Sequence, residues 1–550
     1  MSAEDADDGG PRAEAAERVG RTFGGVAAGI AALTLSARVI GFGRSLVFSK
    51  TVGDTCLGDA YNAANTLPNV LFEIVAGGVL AGVVVPVIAR HVGAGRREES
   101  SATVSALLSW TLLVLTVPTL LALAGTRLYA QAFAKPECPS SAATIAALLI
   151  MFVPQIWLYG LAVVSAGVLQ AHHRFLAAAA APLVSSLVVI IAYVIFWLTA
   201  GSDAGADLTA LSRKSLLVLG IGTTLGVLAL AATSVIGMAG LDLRLRPRLR
   251  FAGDDRSVII RIAGAGGVGL IIQQISILVV SWAAQQTPDP GALTRYTWAN
   301  AIYLLPYAVL AAPLLQMIFP RMSAAAEHGD EPVTAILRGA AGPITVLACL
   351  GAGLLVATAV PVARVFVLGP GSGDTAALAR PIIAFAPAVI GFSLMGLATR
   401  TLLARHRARD AGITTGLAWS AVIVLVLAAR ALPAGWVVTG LAGATSLAMI
   451  IGAVTGWLLL ARAGVRPGLR RALLVGIGAA AVAGFAVGGA ATAFAGVGLV
   501  AAVLGSVGTA LAATAVFAGL VWVLDRRLLG EVVRVVRPST ASEGRGHGDD

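Results

Sequence analysis

Basic side chains inside apolar sequence are the first chemistry this chain offers. Arg38 and Arg44 interrupt the apolar run 23–49, six residues apart, with Gly41 and Gly43 between them, and Lys50 closes the run. An arginine at the centre of a bilayer costs about 2.5–3.5 kcal/mol on insertion scales, and it faces a watery cavity or a partner. Guanidinium groups match phosphate bidentately, so arginines on one helix suit an anionic ligand. The next run, 60–89, follows Asp59 and contributes Asn65, Asn69 and Glu73. Arg261 and Arg400 are the other arginines within apolar segments. Plainer readings stand beside this one. Arg38 can pair with Glu73, and Arg44, Lys50 and Arg261 can reach a membrane interface along their own stems. The substrate-binding set read from the sequence is therefore Arg38, Arg44, Asn65, Asn69, Glu73, Arg261 and Arg400. No residue is assigned a catalytic role.

The elements that must position these groups follow from composition. The chain has 550 residues, 57% of them hydrophobic and 12% charged, with a mean hydropathy of +0.87. Soluble domains carry about 25% charge, so this chain lacks the charge to cover a water-facing surface. About fourteen apolar segments recur, at 23–49, 60–89, 103–126, 142–169, 175–200, 215–241, 257–284, 296–320, 339–362, 380–404, 411–431, 436–461, 472–494 and 497–524. Each meets the ~20-residue requirement for a transmembrane helix. The fold class expected is an all-α polytopic membrane protein.

Several functions are excluded by context. The net charge of +11 sits largely in loops, which argues against nucleic acid as a partner. Gly264-Ala-Gly266-Gly-Val-Gly269 fits GxGxxG, but no strand precedes it and close helix packing explains it better. No lysine follows a glycine, so there is no Walker A loop, and HExxH is absent. Cys56, Cys138 and Cys349 offer neither metal spacing nor a disulfide framework, and Cys349 reads as a small packing residue. The abundant Ala and Gly read as compositional background. No cofactor or metal is expected; a transporter fits and an enzyme does not. Pro68 and Pro86 permit bending of the second segment, as Pro154, Pro306 and Pro387 do elsewhere, either as hinges or as static kinks. Asn65 and Asn69 are placed to satisfy backbone groups freed by Pro68. Gln273 and Gln274 suit either a polar cargo or bonds between helices.

Loop charge sets the expected orientation. With the N-terminus inside, Arg96, Arg97, His172-His173-Arg174, Arg244-Leu-Arg-Pro-Arg-Leu-Arg250, Arg405, Arg407 and Arg409 all fall in the cytoplasm. The opposite loops hold few basic residues, among them Lys135 and Arg295. Both termini are then cytoplasmic. The Arg244–Arg250 segment is expected at the cytoplasmic headgroups, for topology alone or for anionic-lipid recognition. An internal repeat divides the chain. Phe152-Val-Pro154 aligns with Phe385-Ala-Pro387 at an offset of 233, and the same register pairs Leu169 with Leu402 and His173-Arg174 with His406-Arg407. Leu67-Pro68 and Leu305-Pro306 make a second matched pair. Both members of each pair cross in one direction, the mark of a parallel repeat. The expected organisation is a disordered cytoplasmic tail 1–20, a first six-helix lobe 21–245, a basic linker 246–256 and a second lobe 257–465. Two further helices over 466–525 and a cytoplasmic tail 526–550 complete it.

Ser36-Ala-Arg38-Val-Ile-Gly41-Phe-Gly-Arg44, Asp59-Ala-Tyr-Asn-Ala-Ala-Asn65-Thr-Leu-Pro68-Asn69 and Gly77-Gly78-Val-Leu-Ala-Gly-Val-Val-Val-Pro86 resemble the MviN/MurJ family of lipid II flippases, most nearly its actinobacterial members. Pro154-Gln155, Gly167-Val-Leu-Gln170, Leu304-Leu-Pro306-Tyr307 and Phe319-Pro320-Arg321 add to the resemblance, which covers most of residues 25–465. It implies the fold of the multidrug/oligosaccharidyl-lipid/polysaccharide exporter superfamily, with a cationic cavity between two lobes and a lipid-tail groove at the last two helices. It also implies that Arg38 and Arg44 hold the pyrophosphate of an undecaprenyl-linked peptidoglycan precursor. Membrane lipids and the cell-wall synthesis machinery are the partners implied, in the cytoplasmic membrane. The pattern departs from many members of the family at Ser45, Phe72-Glu73, Gly77 and Asn300-Ala301, which makes the cavity less basic than in proteobacterial relatives. Residues 411–461 hold no Asp or Glu, so an acidic sodium site there has no ligands. The readings kept beside the flippase are an exporter of another lipid-linked glycan or drug, and a non-transporting cell-wall scaffold.

Overall fold

The computed structural model describes residues 33, 36–37, 39–75, 81–201, 205–251, 267–465 and 468–536. Arg38, Arg261 and the tails 1–20 and 537–550 lie outside the described residues.

Nearly all of the described chain is helical. Residues 39–51 form α1. There follow α2 (Cys56–Val75), α3 (Ala81–Gly93), α4 (Arg97–Ala124), the short α5 (Thr126–Ala132), α6 (Ser141–Phe152), α7 (Gln155–Ala171), α8 (Phe175–Ala200) and α9 (Arg213–Gly237). Beyond the linker come α10 (Gly267–Gln285), α11 (Ala292–Pro306), α12 (Ala312–Ala326), α13 (Asp330–Val367), α14 (Thr375–Ala384), α15 (Ala386–Ala404), α16 (Ala408–Ala429) and α17 (Ala434–Arg462). The chain closes with α18 (Leu469–Ala491), α19 (Leu499–Leu524) and α20 (Arg526–Val536). Among the described residues eleven helical stretches are long and apolar enough to span a bilayer, and two shorter apolar helices, Val84–Gly93 and Gly269–Gln285, accompany them. Leucines and valines such as Leu113, Val117, Leu121, Val500, Leu504 and Leu511 face outward. That is an arrangement only a lipid environment satisfies, so the chain is a multi-pass membrane protein.

Prolines punctuate the expected segments. The run 142–169 breaks at Val153-Pro154 into α6 and α7, and the run 380–404 breaks at Phe385 into α14 and α15. Proline has no N–H to donate and clashes with the carbonyl four residues back. After Pro306 the helix loosens into a π turn over Tyr307–Ala311 before α12 begins. The sequence repeat has a backbone counterpart. His173 and His406 both adopt φ 58°, in the left-handed region. The N–H of Arg174 reaches Leu169 O and that of Arg407 reaches Leu402 O, each at 2.8 Å. These are two copies of one helix-ending motif, 233 residues apart.

Three readings of the sequence change here. The Ala/Gly content is more than background, because α13 and α18 pack closely through small residues. A Cβ on Gly476 would lie 2.9 Å from Cys349 Sγ, and one on Gly353 would lie 3.2 Å from the Ala480 backbone. Small residues let backbones approach where apolar burial cannot drive association. The segment read as a tail from 526 begins with α20, whose Leu528 and Val532 are buried. The arginine-rich linker docks lengthwise on α4: the N–H groups of Arg244, Arg246 and Arg248 donate to the hydroxyls of Ser101, Ser105 and Ser109. Those serines are four residues apart, hence on one helix face, and all the linker arginines stay exposed.

Candidate functional site

The polar residues of α2 fall at helical spacing. Asn62, Asn65, Thr66 and Asn69 stand at i, i+3, i+4 and i+7, which places them in one stripe. The stripe walls a cavity of about 280 Å³, completed by Arg44 and Ser45 of α1, Tyr159 of α7, Ser185 and Tyr193 of α8, Thr223 of α9, and Thr297 and Trp298 of α11. Of the proposed set, the structure thus brings together Arg44, Asn65 and Asn69. Arg44 is exposed and makes no ion pair among the described residues. Asn65 Oδ1 is buried without a hydrogen-bond partner. Asn69 accepts from the Tyr159 hydroxyl at 3.1 Å, and Tyr159 stacks on Phe72. Tyr61 and Tyr193 form the floor, their hydroxyls 2.8 Å apart. A lone guanidinium among amides and hydroxyls can take a phosphate and the polar groups attached to it.

The other candidates diverge. Glu73 lies one turn beyond Asn69 on α2, is exposed, and does not line the cavity. Arg400 belongs to α15, donates to Gly396 O of its own helix at 3.2 Å, and lies beside Tyr307. Gln274 is buried. Arg38 and Arg261 lie outside the described residues, so no pairing of Arg38 with Glu73 can be described. Asn62, Thr66, Tyr159 and Thr297 are cavity residues that the sequence reading passed over; the period of the α2 stripe was the available signal for the first two.

Beyond the cavity, toward the α1–α2 connection, the two halves of the chain meet in a buried polar network. Asp59 Oδ1 accepts from the N–H and hydroxyl of Thr294 at 2.9 and 3.0 Å, and its Oδ2 accepts from the Gly291 N–H at 2.9 Å. Gly291 caps α11 and supplies no side-chain cap. Asp59 of α2 therefore caps the first turn of a helix from the other half, where a carboxylate also complements the helix dipole. Lys135 Nζ lies 3.0 Å from Asp59 Oδ2 and donates to Thr287 O at 3.0 Å and Asp289 O at 2.7 Å. Asp54 accepts from Arg295 at 2.8 Å and from Ser372 at 2.7 Å, and Arg295 pairs with Asp289 as well. The side chains of Asp54, Asp59, Lys135 and Arg295 are at most 1% exposed. Charges this deep persist only when paired. Backbones complete the seal: a Cβ on Gly53 would lie 1.7 Å from Pro370 O, and one on Gly371, at φ 129°, would lie 2.0 Å from Asp54 Oδ1. Lys50 joins by donating to Val365 O.

This network corrects two expectations. Lys135, in the turn between α5 and α6, and Arg295, on the first turn of α11, are buried and paired and not solvent-facing charges. Cys56 and Cys138 form a disulfide, where the sequence reading found no framework. Cys349 remains free and fully buried, as a packing residue should be.

A second cavity, of about 780 Å³ and almost wholly apolar, lies between α13, α14, α15, α17 and α18, with Ile383, Pro387, Ile390, Trp457, Ile477 and Phe485 on its walls. No residue of α19 lines it.

A bundle of membrane-spanning helices and, beside a buried charge network, a polar cavity whose guanidinium has no ion pair among the described residues define a membrane transporter. The family described as lipid II flippase MurJ matches residues 48–511. The chain belongs to this family of lipid II flippases, which are transporters and not enzymes. A probable lipid II flippase MurJ of Rhizobium meliloti (strain 1021) is 27% identical over 404 residues, 72% of this chain and 73% of that protein. Its counterpart in Synechocystis sp. (strain ATCC 27184 / PCC 6803 / Kazusa) is 24% identical over 372 residues, 66% of this chain and 68% of that protein. Among solved structures, a lipid II flippase MurJ in an inward closed conformation superposes with TM-score 0.71 at 17% identity, covering 91% of this chain and 99% of the other. An inward-facing multidrug resistance MATE transporter of the MOP superfamily superposes with TM-score 0.63 at 15% identity, covering 78% and 98%. These likenesses give the fold.

Proposed function

We propose that the protein moves lipid II from the inner to the outer leaflet of the cytoplasmic membrane by alternating access, with the pyrophosphate held at Arg44. The observation that carries this reading is the placement of Arg44: a guanidinium on a cavity wall with no ion pair among the described residues, next to a network of paired charges. Asn62, Asn65, Thr66 and Asn69 supply amides and hydroxyls for polar groups next to the phosphates, and Arg38, six residues before Arg44 in the sequence, is proposed as a second phosphate ligand. Arg261, Arg400 and Glu73 serve at other stages of the cycle. A cavity of about 280 Å³ is at the low end of ligand clefts, roughly 300–1,000 Å³. It accommodates the phosphates, and the glycopeptide requires the halves to part.

Two six-helix lobes, over 21–245 and 257–465, rock about this site. The apolar cavity beside α18 takes the polyprenyl tail, in keeping with its size and its nearly complete lack of polar lining. Both termini are cytoplasmic. That orientation puts the disulfide and the seal at the outer face, where thiols are oxidised, and puts the exposed linker arginines inside. Cell-wall synthesis enzymes that consume the outer-leaflet precursor are the expected partners.

The test is complementation of a strain depleted of its essential flippase, paired with translocation of fluorescent lipid II in proteoliposomes. Wild-type protein is expected to restore growth and to flip the lipid; Arg44→Ala is expected to do neither while folding normally. Full rescue by Arg44→Ala overturns the assignment of the site, and failure of the wild type to flip lipid II overturns the cargo.

A further inference from the structure

Lys135 sits at the crux of the seal, yet it comes from an irregular turn. Phe133 to Ser140 form no helix between α5 and α6. The turn closes on itself: Cys138 N–H donates to Lys135 O at 3.0 Å, the Ser141 hydroxyl donates to the same carbonyl at 3.1 Å, and Lys135 N–H donates back to the Ser141 hydroxyl at 3.0 Å. A lysine carries about 2 kcal/mol of side-chain entropy, so burying its ammonium in one geometry requires its backbone to be fixed. A disulfide ties the same turn to α2. Cys56 precedes Asp59 by three residues on α2, and Cys138 follows Lys135 by three residues in the turn. The S–S bond and the Lys135–Asp59 ion pair are therefore parallel rungs between the same two pieces of backbone, one covalent and one ionic.

We propose that the Cys56–Cys138 disulfide is the positioning element of the outer gate, holding Lys135 where its ammonium can bridge Asp59 to the Thr287 and Asp289 carbonyls of the other half. The proposal rests on the reading of this network as a gate. Both cysteines belong to the first half of the chain, so the covalent link does not cross the surface that must part. It survives every opening and returns Lys135 to register at every closing. A disulfide between the halves would stop the cycle.

The experiment is a double-mutant cycle read by gate opening. In a Cys349→Ala background, Thr297→Cys reports on the cavity through its labelling rate with a membrane-impermeant maleimide added from outside. Variants are C56S with C138S, K135M, and all three together. Lys135→Met alone is expected to raise labelling roughly a hundredfold or more, the effect of removing one member of a buried ion pair. The cysteine pair is expected to raise it comparably, and the triple variant no further than Lys135→Met. A purely stabilising cross-link would instead lower Tm and raise labelling by the same factors whether or not Lys135 is present. Multiplying effects in the triple variant, or no change on removing the cysteines, overturns the proposal. No change with Lys135→Met overturns the gate reading beneath it. Should the cysteine variants not fold, Ser141→Ala loosens the same turn with the disulfide intact and must show the same non-additivity; additive effects there refute the idea equally.

Discussion

The cavity and the seal are built on the same helices and on opposite principles. Asp59 and Asn65 are six residues apart on α2, about 9 Å along its axis. Asp59 meets four donors from three residues in two chain segments, while the carbonyl oxygen of Asn65 meets none. On α1, Lys50 reaches across to the other half, while Arg44, six residues earlier, has no ion partner among the described residues. Satisfied polar groups hold the two halves together, and unsatisfied ones line the cavity. The seal is also incompletely satisfied: Asp54 Oδ1 and Arg295 Nε lack hydrogen-bond partners. A gate held by every available bond would open too rarely to serve a cycle.

The sharpest way to break the contrast is to unpair the seal. Arg295→Met leaves Asp54 without its guanidinium and Asp289 without its partner, both in or beside a dry interface. Removing one member of a buried pair costs about 3–5 kcal/mol. The cost falls on the closed arrangement alone, so the population is expected to shift outward-open, seen as longer distances between spin labels on α2 and α14. An unchanged distance distribution shows that backbone contacts at Gly53, Gly369 and Gly371 close the halves unaided.

Next in size is the cavity cation. Hydrogen bonds to charged groups contribute about 1.5–3 kcal/mol, so Arg44→Ala is expected to weaken lipid II binding roughly 10- to 100-fold. Arg44→Lys keeps the charge but loses the planar fork and should recover only part of the affinity. Equal binding by the lysine variant reduces the site to a point charge. Asn65→Ala tests a neutral contact, with an expected loss of about 0.5–1.5 kcal/mol and no effect on the seal. Asn65→Ala that alters spin-label distances instead shows the two regions to be one.

How much of this was legible in the sequence follows the same division. Arg44, Asn65 and Asn69 stood out because polar groups in apolar helices are conspicuous, and helical spacing alone puts Asn62 and Thr66 beside them. The bundle itself was legible from apolar run lengths. The seal was not. Lys135 is 76 residues from Asp59 and Arg295 is 241 from Asp54, and each by itself resembles an ordinary loop charge. Its pairing exists only once the two halves are docked. The disulfide was hidden for a like reason, since two cysteines 82 residues apart make no pattern. Glu73 and Arg400 stood out in the same way yet lie away from the cavity: an ionisable residue in an apolar run signals a polar neighbourhood without saying which one.

The contrast extends to the opposite face, where charges are paired but wet. Arg405, at the end of α15, donates to Asp330 at the start of α13 and to Ala463 O beyond α17. This hydrogen bond, ahead of smaller contributions from nearby charges, holds the Asp330 carboxyl below its ordinary value. A carboxylate with a depressed pKa stabilises the folded protein above its unfolded value, near 3.9, and that contribution is lost as pH falls through the lower folded value. Asp330→Asn should therefore lower Tm slightly at pH 7, and the difference from wild type should vanish as the pH is taken down through the carboxylate range. Because the Asp330 side chain is 65% exposed, raising salt to 1 M should shrink the difference too, the Debye length there being about 3 Å. The buried Lys135–Asp59 pair, with no exposed atoms to screen, should be indifferent to the same salt. If both pairs respond alike, depth is not what separates the gate from an ordinary surface contact.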